Sequence, residues 1–251
     1  MKIFDAHAHL GKDVVFETDI GENDLLKVYS ENKVTGALIQ PCICRAYTED
    51  ISALHDRIHS FIKNNGSAEA SYYGMISINP HFNYADIEKE CGRCVNELGF
   101  NSIKLATTAY GCPPDSDDGM HIFEIAEKYR IPAMIHTGGG NFGDPMRLVK
   151  AFDTFKTTKF IIAHAGGENG LSSSIYLACR YENVYLEPSW INILGIRRLI
   201  EVIGPDKFMY SSDVPENVAP AIYNITLACE GNETFMQKIF SGTAENVFNL
   251  Y

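Results

Sequence analysis

The run KIFDAHAH, residues 2–9, contains the first of eight short apolar stretches in the sequence, and a longer stretch of helical or polar character follows each one. The eight are mostly apolar rather than alternating, as in strands that are buried on both faces. They span residues 2–6, 36–42, 72–78, 101–106, 133–136, 159–164, 183–187 and 207–211. This alternation of strands and helices within 251 residues predicts an α/β protein, a (β/α)8 TIM barrel that forms a single domain over residues 1–251.

Between these stretches the spacing of apolar residues predicts helices. In residues 50–63 the apolar positions recur every three or four residues, which places them on one face of a helix. Similar patterns occur at residues 85–98, 118–129, 145–155 and 193–203. A doubly wound open sheet is the alternative architecture. It is less favoured because Gly11 stands alone after the first strand, where such folds carry a glycine-rich phosphate loop.

The charge and composition of the chain narrow its expected partners and location. The net charge is −11, which disfavours nucleic acid or an anionic membrane surface as a partner, since both require clustered lysine and arginine. The sequence has no signal-peptide pattern and no window of about 18 apolar residues, so we predict a cytoplasmic protein without a membrane segment. The expected partner is a small-molecule substrate, and a homo-oligomer is left open.

Two groups of residues that often bind metals are expected to be structural here. The seven cysteines, an odd number without a secretory context, are predicted to be reduced thiols. Cys91 and Cys94 have zinc-like spacing, but no second pair follows them and they lie in a predicted helix. His55 and His59 share one helical face, which indicates a structural role for both.

A different set of polar residues lies where predicted strands end: His7 and His9 on the first, His136 on the fifth, His164 on the sixth and Asp213 on the eighth. In a barrel the C-terminal ends of the strands converge on one mouth. Residues i and i+2 of a strand point to one face, so the first two imidazoles can reach one ion. A third imidazole and a carboxylate complete a shell suited to zinc. We therefore predict one divalent metal, zinc, held by His7, His9, His136 and Asp213.

Five ordered motifs extend this pattern over nearly the whole chain: FDAHAHLG (residues 4–11), GFNSIKL (99–105), IIAHAGG (161–167), YSSDVP (210–215) and NVFNLY (246–251). In this order they resemble the amidohydrolase superfamily, in the amidohydrolase-related branch that includes aminocarboxymuconate-semialdehyde decarboxylase. An HxH pair alone is a weak motif, but the ordered set is specific. The resemblance implies a metal-dependent barrel enzyme.

The resemblance also implies a role for each strand-end residue. His7, His9 and His136 match metal ligands of the family. Asp213 matches an aspartate that ligates the metal and, in hydrolases, takes a proton from the metal-bound water. His164 matches a catalytic histidine that orients or deprotonates water or polarises the substrate.

Lys104 leaves the number of metal ions open. Some branches of the superfamily bridge two metals with a carboxylated lysine on the fourth strand, which is where Lys104 lies in the predicted barrel. The branch resembled here usually carries a lysine in this GxxSIKL setting and still holds one metal. One ion is therefore the preferred interpretation, and a binuclear site with Lys104 is the alternative.

The leading hypothesis for the reaction is hydrolysis of a small carbonyl-containing substrate, an amide, lactone or ester, by a metal-activated water. The alternative is metal-dependent, non-oxidative decarboxylation of a small unsaturated or aromatic carboxylic acid, which uses the same residues. A third hypothesis is a metal-free binding protein that keeps the barrel. Four residues are candidates for substrate binding by their position after strands: Arg45, Tyr110, Glu187 and Trp190.

Overall fold

The structure is a computed structural model, and it describes residues 1–14, 17–43 and 47–250. Its centre is an eight-stranded sheet in the order β2-β1-β3-β4-β5-β6-β7-β8. The strands are β1 (Phe4–Lys12), β2 (Asp19–Ile20), β3 (Gly36–Pro41), β4 (Ser71–Ser77), β5 (Ser102–Leu105), β6 (Ala133–His136), β7 (Phe160–Ala163) and β8 (Val184–Glu187). β2 pairs antiparallel with β1, and every other neighbouring pair is parallel.

Helices connect the successive parallel strands. The α-helices are α1 (Glu22–Asn32), α2 (Thr48–Asn65), α3 (Tyr84–Asn96), α4 (Thr107–Tyr110), α5 (Asp117–Tyr129), α6 (Val149–Thr154), α7 (Gly167–Arg180), α8 (Ile193–Val202), α9 (Val218–Ala228), α10 (Glu233–Gln237) and α11 (Thr243–Phe248). Short 3-10 turns lie at Asn141–Gly143, Pro145–Leu148, His164–Gly166 and Pro215–Asn217, and a π-helical turn lies at Lys238–Gly242. Within the described parts of the chain, none of these helices is both long and apolar enough to cross a membrane.

The predicted alternation of strands and helices is confirmed as an α/β fold with a curled, mostly parallel sheet. The order of the parallel strands follows their order in the chain, whereas a doubly wound sheet reverses direction at a switch point. β1 runs to Lys12, well beyond the predicted end of the first strand. β2 has only two residues and left no periodic signal in the sequence.

The segment 207–213 lies between β8 and β1. Phe208 forms a parallel bridge with Leu186 of β8, and Asp213 forms a parallel bridge with Ala8 of β1. The predicted strand at residues 207–211 therefore contains one isolated bridge, at Phe208, rather than a continuous ladder, and the second bridge lies just after it at Asp213. With this segment between its two edges, the curled sheet is consistent with a TIM-like barrel.

An inner apolar cluster fills one end of the curled sheet. Its buried members from β1 to β8 and the segment after them are Phe4, Ala6, Leu38, Met75, Met134, Ile161, Ala163 and Met209. Residues of α11 and the positions after it complete the cluster: Ala244, Val247, Phe248 and Leu250. A larger cluster packs the helices against the other side of the sheet. The inner space is therefore closed by apolar side chains at one end, and polar residues occupy the other.

A β-bulge in β1 decides which way its histidines point. The pairing of β1 with β3 shifts register between Asp5 and Ala8, so β1 contains one residue more than β3 at this place. A bulge changes the side-chain alternation beyond it. As a result His7 and His9 lie on the same inner side of the sheet as Phe4, although odd and even positions of a regular strand face opposite sides.

Candidate metal centre

Polar residues form a layer next to the inner cluster, at the C-terminal ends of the strands. Because side chains alternate along a strand, the residue two positions after an inner one faces the same side. His136 follows the inner residue Met134 in this way. Lys104 and Glu187 lie at or next to the ends of β5 and β8. The candidate site residues meet in this layer.

Three residues of the predicted metal set lie together: His7, His9 and Asp213, which we call the trio. His7 Nε2 is 3.2 Å from His9 Nε2 and 3.2 Å from Asp213 Oδ1. His9 Nε2 is 3.3 Å from the same oxygen. Nitrogen and oxygen ligands at about 2.0–2.1 Å from a tetrahedral zinc ion stand roughly 3.3 Å from one another. The spacing of the trio therefore fits ligands of one ion.

The hydrogen bonds of the two imidazoles leave lone pairs at the centre of the trio. His7 Nδ1 lies 2.8 Å from Glu187 Oε2, and His9 Nδ1 lies 3.1 Å from the Pro41 carbonyl oxygen. Both partners only accept, so each Nδ1 carries the proton and each Nε2 is unprotonated. Burial lowers the pKa of His7 to about 4, and Lys104 adds to this effect. Three acceptor atoms in mutual contact need a cation, so the residues fit a metal ion.

Asp213 is held through both its carboxylate and its backbone. Its backbone N–H donates to the His7 carbonyl at 2.7 Å, and Trp190 Nε1–H donates to Oδ2 at 2.7 Å. Burial opposes ionisation, but the imidazoles of His7 and His9 outweigh it and hold the pKa of Asp213 well below its usual value. The backbone φ of Asp213 is 73°, a left-handed conformation that is strained for a residue with a side chain. Such strain is typical of functional positions.

His136 and His164 form a second pair beside the trio. His136 Nδ1 lies 3.1 Å from His164 Nε2, and the ring centroids of His164 and His7 are 5.3 Å apart. Burial lowers the pKa of His136 to about 2, and His164 adds to this effect, so His136 is neutral. Among the described residues, the ring of His136 does not join the group formed by the trio. Its place as the fourth metal ligand stays a prediction.

Lys104 contacts the trio from β5. Its Nζ is 2.9 Å from His7 Nε2, and its side chain is buried. Burial lowers the pKa of Lys104 to about 8, although the carboxylates of Asp213 and Glu187 favour its charged form. A charged Lys104 donates to the lone pair of His7, so it competes with a metal ion for that atom.

Glu187 lies in a different environment from the one predicted for a substrate-binding residue. It is fully buried at the end of β8, so it offers no exposed surface to a substrate. Its Oε2 accepts from His7 Nδ1 at 2.8 Å and from the His164 backbone N–H at 3.0 Å. Its Oε1 accepts from the Ser189 backbone N–H at 2.7 Å and from the Ser211 hydroxyl. Burial opposes ionisation, but His7 and these donors hold the pKa of Glu187 well below its usual value.

The other predicted substrate-binding residues differ in what surrounds them. Trp190 is 54% exposed and contacts Asp213, so most of its ring is available to a ligand beside the trio. Tyr110 ends α4, shortly after β5, and is partly buried. Its carbonyl lies 3.0 Å from His81 Nε2. Arg45 lies outside the described residues.

A family model described as amidohydrolase matches residues 5–250, nearly the whole chain. The chain belongs to the amidohydrolase family. The match includes every residue of the trio and confirms the resemblance inferred from the sequence motifs. A search of the curated proteins found no match to the chain.

Several solved structures share the fold of this chain. The 5-carboxyvanillate decarboxylase of Sphingomonas paucimobilis is 16% identical, with a TM-score of 0.77 over 100% of this chain and 99% of that chain. A dihydroxybenzoic acid decarboxylase from a Polaromonas species, with bound manganese and the inhibitor 2-nitroresorcinol, is 16% identical, with a TM-score of 0.75 over 99% and 97%. The 4-oxalomesaconate hydratase of Rhodopseudomonas palustris is 18% identical, with a TM-score of 0.70 over 98% and 95%. At these identities the similarity shows the fold alone.

Another group of metal-type side chains lies between α2 and α3. It consists of His55, Glu90 and Cys94, which we call the His55 cluster. His55 Nδ1 lies 2.7 Å from Glu90 Oε1 and 3.3 Å from Cys94 Sγ, while His55 Nε2 accepts from the Ser77 backbone N–H at 3.2 Å. A metal ion at Nδ1 would move the ring proton to Nε2, against another donor. The cluster therefore suits a hydrogen-bonded link between α2, α3 and β4 better than a metal site.

Two residues near the trio, Gln40 and Asp5, were not among the predicted site residues. Gln40 Nε2 lies 3.4 Å from His9 Nε2, and Gln40 Oε1 is buried without a hydrogen-bond partner among the described residues. Asp5 accepts from the His7 N–H at 3.1 Å and from the Ser212 N–H at 2.9 Å, so it joins β1 to the segment that carries Asp213. The available signal in the sequence was a polar residue inside a mostly apolar stretch, Asp5 in residues 2–6 and Gln40 in residues 36–42.

Proposed function

We propose that this amidohydrolase is a metal-dependent enzyme that decarboxylates a small unsaturated or aromatic carboxylic acid. One observation carries the metal dependence: acceptor atoms of His7, His9 and Asp213 contact one another at 3.2 to 3.3 Å. Decarboxylation is favoured over hydrolysis because two of the similar structures are named as decarboxylases. Those names describe those proteins, and their extension to this chain is part of the proposal.

We assign His7, His9 and Asp213 as ligands of one divalent ion, with His136 as the fourth ligand. Imidazoles combined with one carboxylate suit zinc. Manganese, which the Polaromonas decarboxylase contains, is the other candidate for this mixed nitrogen and oxygen set. When bound, such an ion polarises substrate oxygens and stabilises negative charge that develops during the reaction. A second ion bridged by Lys104 stays the alternative.

Decarboxylation consumes one proton and releases carbon dioxide. The bond between the carboxylate and the neighbouring carbon breaks, the electron pair stays on that carbon, and a proton takes the place of the lost group. We assign His164 to carry this proton. His164 Nδ1 lies 2.8 Å from Ser189 Oγ, and its backbone N–H donates to Glu187, so the ring is held in place next to His136.

Hydrolysis of an amide, lactone or ester is the second candidate, because the family that matches the chain is described as amidohydrolase. It would use the same residues. His164 and Asp213 would remove a proton from the attacking water and pass it to the leaving group. The two reactions differ in their products, which makes them separable by assay.

We further propose that segment 207–213 is the eighth strand and closes the sheet into a TIM barrel. The parallel bridges on both sides of this segment support the proposal. We also propose that residues 1–251 form one catalytic domain, which the family match over residues 5–250 supports. The substrate would be a small molecule. The cytoplasmic location and a homo-oligomeric state stay predictions.

A product assay with a matched variant tests the reaction. Purified protein supplied with Zn²⁺ or Mn²⁺ is incubated with hydroxybenzoates, unsaturated carboxylic acids, amides and lactones, and both carbon dioxide and hydrolysis products are measured. We expect carbon dioxide release that falls by at least ~100-fold in His164→Asn, because proton transfer by a positioned side chain contributes that much, while the metal content is unchanged. Hydrolysis products without carbon dioxide would establish the second candidate instead. Purified protein that binds no divalent metal would overturn both.

A further inference from the structure

Glu187 and His7 form a buried pair that affects the proposed metal site without belonging to its ligands. We propose that Glu187 is a positioning residue, which fixes His7 in the tautomer that presents an unprotonated Nε2 to the cation. The proposal rests on the proposed function, because His7 is a ligand of that metal site. Glu187 acts through the 2.8 Å hydrogen bond from His7 Nδ1.

The surroundings of Glu187 require a side chain that only accepts hydrogen bonds. Four donors reach its two oxygens: His7 Nδ1–H and the His164 N–H at Oε2, and the Ser189 N–H and the Ser211 hydroxyl at Oε1. The two backbone groups cannot accept, and only the Ser211 hydroxyl can rotate to do so. Glu187 is fully buried, so solvent does not replace a lost partner. A carboxylate is therefore the side chain that satisfies every donor.

The isosteric change Glu187→Gln shows how this environment controls His7. If the amide nitrogen takes the place of Oε2, it faces the His164 N–H, and His7 must accept through Nδ1. The proton of His7 then lies on Nε2 and blocks the lone pair that the metal needs. If the amide nitrogen takes the place of Oε1, it faces the Ser189 N–H, and His7 keeps a weaker, uncharged partner. Both outcomes lower the affinity of His7 Nε2 for a cation.

A competing interpretation is that Glu187 is itself a metal ligand. His7, His164 and Glu187 have ligand-type atoms close enough to hold an ion. The atom of His7 that faces Glu187 is Nδ1, however, and its proton lies in the hydrogen bond between them. An ion there would have to displace this proton and would put it on Nε2 of His7, against the ammonium group of Lys104 at 2.9 Å. The trio is the better site because its hydrogen bonds already expose the lone pairs.

Glu90 provides a matched control for Glu187. It is also buried, and its Oε1 accepts from His55 Nδ1 at 2.7 Å. Its pair lies in the His55 cluster, where His55 Nε2 accepts from a backbone N–H instead of facing the trio. The change Glu90→Gln therefore disturbs the same chemistry at a place without a proposed metal ion. An effect that both variants share reports on the fold, and an effect of Glu187→Gln alone reports on the metal site.

The experiment measures Zn²⁺ binding by the metal-free full-length protein and both variants, in competition with a chromophoric chelator. We expect wild type and Glu90→Gln to bind one Zn²⁺ with similar affinity. We expect Glu187→Gln to bind it roughly 10- to 100-fold more weakly, the loss that follows removal of an outer partner of a ligating histidine. Restoring the charge with Glu187→Asp should recover part of the affinity. Thermal unfolding of each protein records the cost to the fold.

The possible results separate the two proposals. Wild-type protein that binds no Zn²⁺ or Mn²⁺ overturns the proposed function. Wild-type protein that binds metal, with Glu187→Gln within twofold of it, overturns the positioning role alone. If Glu187→Gln does not fold, the ¹⁵N spectrum of the histidines in metal-free wild type decides instead. A signal assigned through His7→Ala that reports a proton on Nδ1 supports the proposal, and a proton on Nε2 contradicts it.

Discussion

Two histidine–carboxylate pairs in this protein have nearly the same local geometry, yet the atoms around them differ. His7 Nδ1 lies 2.8 Å from Glu187, and His55 Nδ1 lies 2.7 Å from Glu90. All four residues are buried. The pairs differ at the other ring nitrogen. His7 Nε2 faces the acceptors of the trio and the Lys104 amine at 2.9 Å, whose pKa burial lowers to about 8, whereas His55 Nε2 accepts from the Ser77 backbone N–H.

The comparison shows that a buried histidine–carboxylate pair does not by itself indicate a metal ligand. A neutral imidazole has one donor and one acceptor nitrogen, so fixing the donor leaves one lone pair whose partner decides the role of the ring. At the His55 cluster the backbone supplies that partner and the pair is complete. At the trio, His9 Nε2 and Asp213 Oδ1 also face the lone pair of His7, so a metal ion can replace Lys104 as its partner. Four predictions test this difference.

Removal of His7 or of His55 should give the largest effects. The first should reduce metal affinity, and the second should reduce the unfolding free energy. His7→Ala deletes a proposed ligand, so Zn²⁺ affinity should fall by more than the ~10- to 100-fold expected for an outer partner. His55→Ala should retain the metal and lose about 2–4 kcal/mol of unfolding free energy, since it removes a buried hydrogen bond to Glu90, which keeps Arg93, and leaves the Ser77 N–H without its acceptor. Chelator competition and urea unfolding measure the two quantities. An equal loss of Zn²⁺ affinity in both variants would contradict the proposed difference between the trio and the His55 cluster.

Acidification should remove the stabilisation that ionised Glu90 gives to the His55 cluster. The variant Glu90→Gln should reveal this loss. Burial raises the pKa of Glu90, but hydrogen bonds from His55 and Arg93 outweigh it and lower the value from 4.5 to about 2. A depressed folded-state pKa stabilises the protein above pH 4.5, and this stabilisation is lost as the pH falls through about 2. The pH-dependent contribution of Glu90 to the unfolding free energy should be on the order of 3 kcal/mol. Unfolding of wild type and Glu90→Gln between pH 7 and pH 2 measures it, and parallel curves would contradict it.

Metal should stabilise the fold only where the trio is intact. A metal ion that binds only the native state adds ~2.7 kcal/mol to the unfolding free energy when its free concentration is 100 times its dissociation constant. We expect thermal unfolding of wild type and Glu90→Gln to shift upward with Zn²⁺ and to return with a chelator. His7→Ala should show no shift at the same Zn²⁺ concentration. A shift of equal size in His7→Ala would place the ion elsewhere.

The smallest effect should come from Trp190, which donates to the second oxygen of Asp213 at 2.7 Å. Trp190→Phe keeps the ring and removes the N–H, so it should weaken Zn²⁺ binding by about 1 kcal/mol, the net value of one hydrogen bond, or roughly fivefold. Trp190 is the single tryptophan of the sequence, so its fluorescence in wild type should change as Zn²⁺ binds. Unchanged fluorescence at saturating Zn²⁺ would argue against an ion at Asp213.

The α/β fold and part of the candidate site could be predicted from the sequence by two simple rules. Apolar stretches that alternate with helical segments indicated the α/β fold, and polar residues at strand ends indicated His7, His9 and Asp213, which the structure brings together. Both rules depend only on the period of side chains along a strand and on the parallel arrangement of strands. The short β2 carried no such period and was missed.

The role of Glu187 was out of reach for a physical reason. Its position after a strand correctly placed it at the C-terminal edge of the sheet, but a strand-end residue can face either the mouth or the interior. Its contact with His7 depends on the bulge between Asp5 and Ala8, which turns His7 inward. A one-residue change of register reverses side-chain direction, and the sequence of β1 alone does not reveal it. The position of Arg45 lies outside the described residues.

Anomalous diffraction from a Zn²⁺-loaded crystal would locate the metal ion of the trio without assuming any reaction. The account predicts one peak at the zinc edge, bounded by His7 Nε2, His9 Nε2 and Asp213 Oδ1. A crystal grown at saturating Zn²⁺ without density between these three atoms, or with its peak at His55, Glu90 and Cys94, would contradict it.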